Sequence, residues 1–131
     1  MEEILKGIVK GNINKETKIL KDQKGWIFGN FAEAPFKTDD FEIKWGVHSK
    51  GEIKKEIAKN EKARTFVILI RGRLSTTFYA ETGEAVKEIL LEKEGDCVLY
   101  EPNICHRWKF EEDSLTLTIR WPSVQGDQKP C

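Results

Sequence analysis

The chain has 131 residues, 34% of them charged and 39% hydrophobic, with 22 basic side chains against 22 acidic ones. That length suits one domain whose core is large enough to fold without disulfide or metal staples. The charge balance excludes the basic field of a nucleic-acid binder. The longest apolar run, Phe66 to Ile70, falls far short of the ~20 residues of a membrane span.

Residues 1–24 read as an N-terminal extension in which Ile4 to Val9 can form an extra strand, at an edge or across a dimer. Met1-Glu2-Glu3 opens acidic and no apolar segment follows, so no secretory leader is expected. Trp26-Ile27-Phe28 is a short strand between Gly25 and Gly29-Asn30. Phe41, Ile43, Trp45 and Val47 then alternate with Glu42, Lys44, Gly46 and His48, the period of two that marks a half-buried strand. Glu52 to Lys62 has the composition of a helix but too narrow an apolar stripe, and reads as a polar loop or a short helical turn.

From Thr65 onward strands follow one another at 8–12-residue spacing. Thr65 to Ile70 is β-branched and aromatic, and Gly72 separates it from Leu74 to Tyr79. A hairpin at Glu81-Thr82-Gly83-Glu84 leads into Val86 to Leu91. Cys97 to Tyr100, His106 to Phe110, and the alternating Leu115, Leu117 and Ile119 complete the set. About eight short strands and no long helix predict an all-β, antiparallel sandwich or barrel over residues 25–122. Residues 123–131 read as a flexible polar tail. Cys97, Cys105 and Cys131 are odd in number and form no CxxC pair, which favours free thiols and a reducing, cytoplasmic setting over a disulfide framework.

The stretch Gly95-Asp96-Cys97-Val98-Leu99-Tyr100-Glu101-Pro102-Asn103-Ile104-Cys105-His106 resembles the second cupin motif, G(X)5PXG(X)2H. Pro102 stands one place late, and Asn103 replaces a glycine while still tolerating the left-handed conformation. Thr65 to Gly72 resembles the end of the first motif, G(X)5HXH(X)3,4E(X)6G, at the right order and distance. The resemblance covers Phe41 to Trp121 and implies a double-stranded β-helix, the cupin jelly-roll barrel. It also implies a divalent metal (zinc, iron, manganese or nickel) held by two His, a Glu and a later His. Carried over residue by residue, those ligands fall on Ala58, Asn60, Thr65 and His106, or on Lys59 and Glu61 under the shorter spacing of the His pair. Only His106 keeps its type, so no metal ligand set is expected. A rebuilt site would need His48 beside His106 with Glu52, Glu56, Glu61 or Cys105.

The residues expected to contact a ligand are His106, Trp108, Trp45, His48, Thr65 and Asn60. His106, Trp108 and Phe110 share one strand face, which by resemblance lines the barrel mouth. Strict alternation puts His48 on the face opposite Trp45, so only one of the two can face inward unless Gly46 forms a bulge. Arg71 and Arg64 are secondary candidates for clamping an anion, with solvent exposure the simpler reading. Cys105 and His106 point to opposite strand faces and cannot form a thiol–imidazole dyad. The expected role is binding of a small, anionic or sugar-like molecule in an aromatic-lined barrel. Two enzyme readings stand beside it: a metal-dependent isomerase or dioxygenase using His106 and His48, and a metal-free epimerase or isomerase with His106 as general base. The apolar character of both faces of Phe66 to Ile70 means that the strand needs cover on both sides, from another subunit or from the N-terminal segment, and a homodimer is expected.

Overall fold

The computed structural model describes residues 2–15 and 25–131. A hairpin of β1 (Glu2–Leu5) and β2 (Ile8–Lys10) stands apart as its own two-stranded sheet. The N-terminal extension therefore carries a hairpin in place of the single strand expected from Ile4 to Val9, and residues 16–24 lie outside the described residues. The rest of the strands are β3 (Trp26–Phe28), β4 (Glu42–His48), β5 (Ala58–Asn60), β6 (Arg64–Arg71), β7 (Leu74–Tyr79), β8 (Ala85–Leu91), β9 (Cys97–Tyr100), β10 (Cys105–Phe110), β11 (Ser114–Trp121) and β12 (Gln128–Pro130). They form two five-stranded antiparallel sheets, ordered β12-β5-β10-β7-β8 and β3-β4-β11-β6-β9. Between the sheets Val67, Leu69, Leu74, Leu91 and Phe110 make the apolar core, with Ile89, Val98, Tyr100 and Trp108 packed against it.

Turn chemistry fixes the corners. Gly72 takes φ +103° between β6 and β7, where a Cβ would run into Ser114 and the backbone of Asp113. Asn103, at the turn between β9 and β10, has φ 65°. A short polar side chain adopts this conformation at little cost.

Two strands of the second sheet, β4 and β11, have an inverted polarity. The inward face of the sheet carries Lys44 and His48 from β4, Thr116, Thr118 and Arg120 from β11, and Tyr100 from β9. The outward face carries Ile43, Trp45, Leu117, Ile119, Phe66 and Ile68, all half-buried, with Leu99 53% exposed at the edge. Cross-strand pairing aligns these into rows: Ile43, Ile119, Phe66 and Leu99 lie side by side, as do Trp45, Leu117, Ile68 and Cys97. The alternation in the sequence is real, but here its polar half points into the barrel.

Three expectations change. Residues 52–62 are neither free loop nor helix. Gly51 to Lys54 runs beside β10 through Gly51 N–H to Phe110 O, Phe110 N–H to Glu52 O and Lys54 N–H to Trp108 O, and β5 then joins the sheet. Residues 123–131, expected as a flexible tail, lay β12 along β5. Cys131 is disulfide-bonded to Cys105, while Cys97 is free and exposed. Spacing along the sequence could not show this pair, because β12 reaches β10 only through the β5 ladder that lies between them. No helix among the described residues is long and apolar enough to cross a membrane.

Candidate functional site

A groove of about 900 Å³ opens at one end of the barrel and leads to an inner chamber of about 50 Å³. Trp26, Lys44, His48, Trp108 and Arg120 border both. Arg120 lies over the indole of Trp26, with Cζ 4.8 Å from the ring centroid. Lys44 Nζ sits 5.9 Å from the Trp26 ring and 6.0 Å from that of Trp108. Cations held over indole faces keep their charge in a partly dry setting, because the ring quadrupole replaces some of the lost water. Among the described residues, buried Arg120 Nε has no hydrogen-bond partner.

His48 is fixed from three sides. Its ring stacks on Phe110 at 3.9 Å and 10°, and its plane meets Trp108 at an angle 5.4 Å away. Its Nδ1 contacts the Glu52 carboxylate, which the segment beside β10 brings into place. Gly46 makes the room: a Cβ there would strike His48 Nε2 and Thr116 Oγ1. Burial pushes the His48 imidazole below its ordinary pKa and Lys44 adds to this, while the hydrogen bond to Glu52 opposes both.

His106 is 1% exposed and donates from Nδ1 to the carbonyl of Ile104 at 3.1 Å. The Tyr100 ring packs 4.7 Å from it. Burial lowers its pKa to about 4 against the opposing effect of the Ile104 carbonyl, with Arg120 and Lys54 adding to the lowering. At neutral pH the ring is uncharged. Burial raises Tyr100, and the Arg120 charge opposes that rise. Glu42 is buried opposite Arg120 on the neighbouring strand, and desolvation holds its carboxyl above the usual range against the pull of that guanidinium.

The structure brings His106, Trp108 and His48 together around the chamber. Trp45 goes elsewhere: its strand face points outward, and its indole N–H donates to Asn14 Oδ1 at 2.9 Å. No bulge forms at Gly46, where β4 pairs continuously with β11, so the inward place belongs to His48. Thr65 is buried between Arg120 and Tyr100 in register, with its hydroxyl unpaired, and does not border the chamber. Asn60 donates its side-chain N–H to Asp127 and accepts from the Asn103 N–H with its backbone carbonyl, while its Oδ1 is buried without a partner among the described residues, and it does not border the chamber. Arg71 is exposed, and Arg64 pairs with Glu101 at 2.7 Å. The residues that sequence reasoning missed at the site are Arg120, Trp26, Lys44 and Tyr100, while Glu52 was named only as a ligand of a rebuilt metal site. The available signal was the polar half of the alternation in β4 and β11.

The metal implied by the cupin resemblance finds no matching donors. Ala58 pairs directly with His106 and offers no ligand atom, and among the described residues no three His, Cys, Asp or Glu side chains converge. The His48 alternative has one carboxylate, Glu52, bound to its imidazole. A divalent site needs about three protein ligands of suitable type, and this donor set does not supply them.

No family model and no curated protein matches the sequence. Solved structures do match. A double-stranded β-helix protein from Klebsiella pneumoniae is 14% identical, with a TM-score of 0.59 over 72% of this chain and 72% of that one. KdgF from Halomonas is 16% identical, with a TM-score of 0.55 over 66% and 74%. The oxalate decarboxylase of Bacillus subtilis is 17% identical, with a TM-score of 0.54 over 66% of this chain but only 22% of that one. Two antiparallel sheets in this order, closed around His106 at the end of the second motif, together with these neighbours, make the chain a small domain of the cupin, double-stranded β-helix fold.

Proposed function

We propose that the barrel binds a small organic anion, with a carboxylate or similar group at Arg120 and a flat or sugar-like body against the indoles. The observation that carries this reading is Arg120: a guanidinium stacked on Trp26 at the chamber, whose buried Nε–H has no hydrogen-bond partner among the described residues. A buried unpaired donor costs free energy unless a ligand or water satisfies it, and a guanidinium suits a carboxylate better than any neutral group. The groove adds Lys54, Lys55 and Lys129 to Lys44 and Arg120, against Glu52 and Glu56, so its rim favours negative charge. A metal-dependent reaction is not part of this reading, because the donor set does not fit one. The outward apolar rows on β4, β11, β6 and β9 support the further proposal that the functional unit is a homodimer.

Indole fluorescence tests the binding. Titration with a panel of small carboxylates and sugar acids should give a saturable change that weakens at least tenfold in Arg120→Gln. Because that substitution leaves Glu42 facing an uncharged side chain, Arg120→Gln/Glu42→Gln serves as the control for folding. The absence of saturable binding at millimolar concentration across the panel overturns the proposal.

A further inference from the structure

The groove holds one group that simple anion binding does not use. His48 has a carboxylate on one ring nitrogen and, among the described residues, no hydrogen-bond partner on the other. Glu52 takes the Nδ1 proton as its hydrogen bond, which leaves the Nε2 lone pair free. Nε2 lies over Gly46 beside Thr116 Oγ1 and has no hydrogen-bond partner among the described residues. Stacking on Phe110 and contact with Trp108 hold the ring plane, so the lone pair has a fixed direction at the chamber that Arg120 also borders. An oriented base, a carboxylate that orients it and a cation placed for developing negative charge are the parts that proton abstraction from carbon requires.

We infer that His48, positioned by Glu52, is the general base of a proton transfer on the bound anion, acting on a carbon next to the ligand's carbonyl group. The inference rests on the anion-binding reading above. In the step, the C–H bond breaks, its proton passes to His48 Nε2, and the electron pair stays on the ligand as an enolate. Glu52 balances the imidazolium, and Arg120 faces the enolate or carboxylate oxygen. The imidazolium then returns a proton to the same carbon or to the other end of the enolate, so the net change is an exchange, an epimerisation or an isomerisation. No oxidant, reductant or second substrate is needed. The substrate class is therefore a 2-oxo acid or an acid of similar C–H acidity. His106 is the poorer base: its Nδ1 is bonded to a backbone carbonyl, no carboxylate adjoins it, and it is more deeply buried.

The test uses pyruvate and 2-oxobutyrate in D2O, with loss of the C3 proton signals followed by NMR and binding of the same acids followed by indole fluorescence. The full chain should accelerate exchange saturably. His48→Asn and His48→Gln should each lower the rate by about a hundredfold or more while the far-UV spectrum stays unchanged. Glu52→Gln should lower the rate with the half-saturating concentration unmoved, which a purely structural role would not produce. Saturable binding with exchange no faster than without protein overturns the inference and leaves the anion reading standing. Binding of neither 2-oxo acid overturns the inference alone when another carboxylate of the panel binds, and overturns both when none does. Exchange that persists in both His48 variants overturns the assignment of the base.

Discussion

Ala58 stands directly opposite His106 across the β5–β10 ladder, so the one imidazole at a family ligand position faces a methyl group. Asn60, two residues on, spends its amide on Asp127, and Thr65 offers only a hydroxyl. Neutral oxygens are weak competitors for zinc or iron against imidazole and carboxylate. Protein dialysed after exposure to zinc, iron, manganese or nickel should therefore retain far less than one ion per chain. Near-stoichiometric metal that is lost in His106→Ala would refute this.

Stability should fall with acid because of His106. Burial lowers the pKa of the folded imidazole to about 4, against about 6.5 for a free one. Below about 6.5 the unfolded chain takes up a proton that the folded chain refuses. The contribution is thus full above that pH and is lost progressively down to about 4, amounting to about 3 kcal/mol. His48, also lowered, acts in the same direction. Glu42, raised by burial, works in the opposite sense toward the acid end, since its protonation favours the fold. Thermal unfolding between pH 7 and 4 should show a shallower slope in His106→Asn than in the parent. Equal slopes would remove His106 from the explanation.

Reduction should loosen one wall of the groove. The Cys105–Cys131 bond closes a separation of 26 residues, worth about 3 kcal/mol by restriction of the unfolded chain. It also anchors β12, whose Gln128, Lys129 and Pro130 border the groove. Just before that strand, the Asp127 carboxylate accepts from the Lys62 and Ala63 amides. Cys131→Ser should lower the unfolding temperature by several degrees and speed hydrogen exchange at Lys62 and Ala63. Unchanged protection at those two amides would show that Asp127 holds the turn without the disulfide.

Sedimentation at micromolar concentration should return the mass of two chains. Leu99 is 53% exposed at the end of the row it forms with Phe66 and Ile119, so Leu99→Glu should halve the mass without unfolding the domain. A single-chain mass for the parent protein argues against the dimer.

Much of the barrel was legible because β4, β6, β7 and β11 each carry enough β-branched and aromatic residues to declare a strand alone. The turn at Asn103 was legible because few side chains other than glycine accept a left-handed backbone. β5 was not: Ala58-Lys59-Asn60 has no strand character of its own and extends only because β10 and β12 flank it. The orientation of the faces was not legible either. A rule that sends apolar residues inward assigns Trp45 to the cavity and Arg120 to solvent. Both assignments invert because β4 and β11 turn their polar faces to the chamber and their apolar faces outward. His106 and Trp108 border the chamber, and their strand belongs to the sheet of ordinary polarity.

One parity in β4 thus governs two surfaces. Thr116 faces Gly46 and Leu117 faces Trp45 in the ladder with β11, and each residue step along a strand exchanges inside for outside. A slip by one residue would carry the His48 imidazole out of the barrel and bring the Trp45 indole into the space that Gly46 leaves clear. The cavity and the outward apolar rows would be lost in the same event. A single-residue insertion within β4, between Trp45 and Val47, would therefore be far more damaging than one in the open Glu81–Glu84 hairpin.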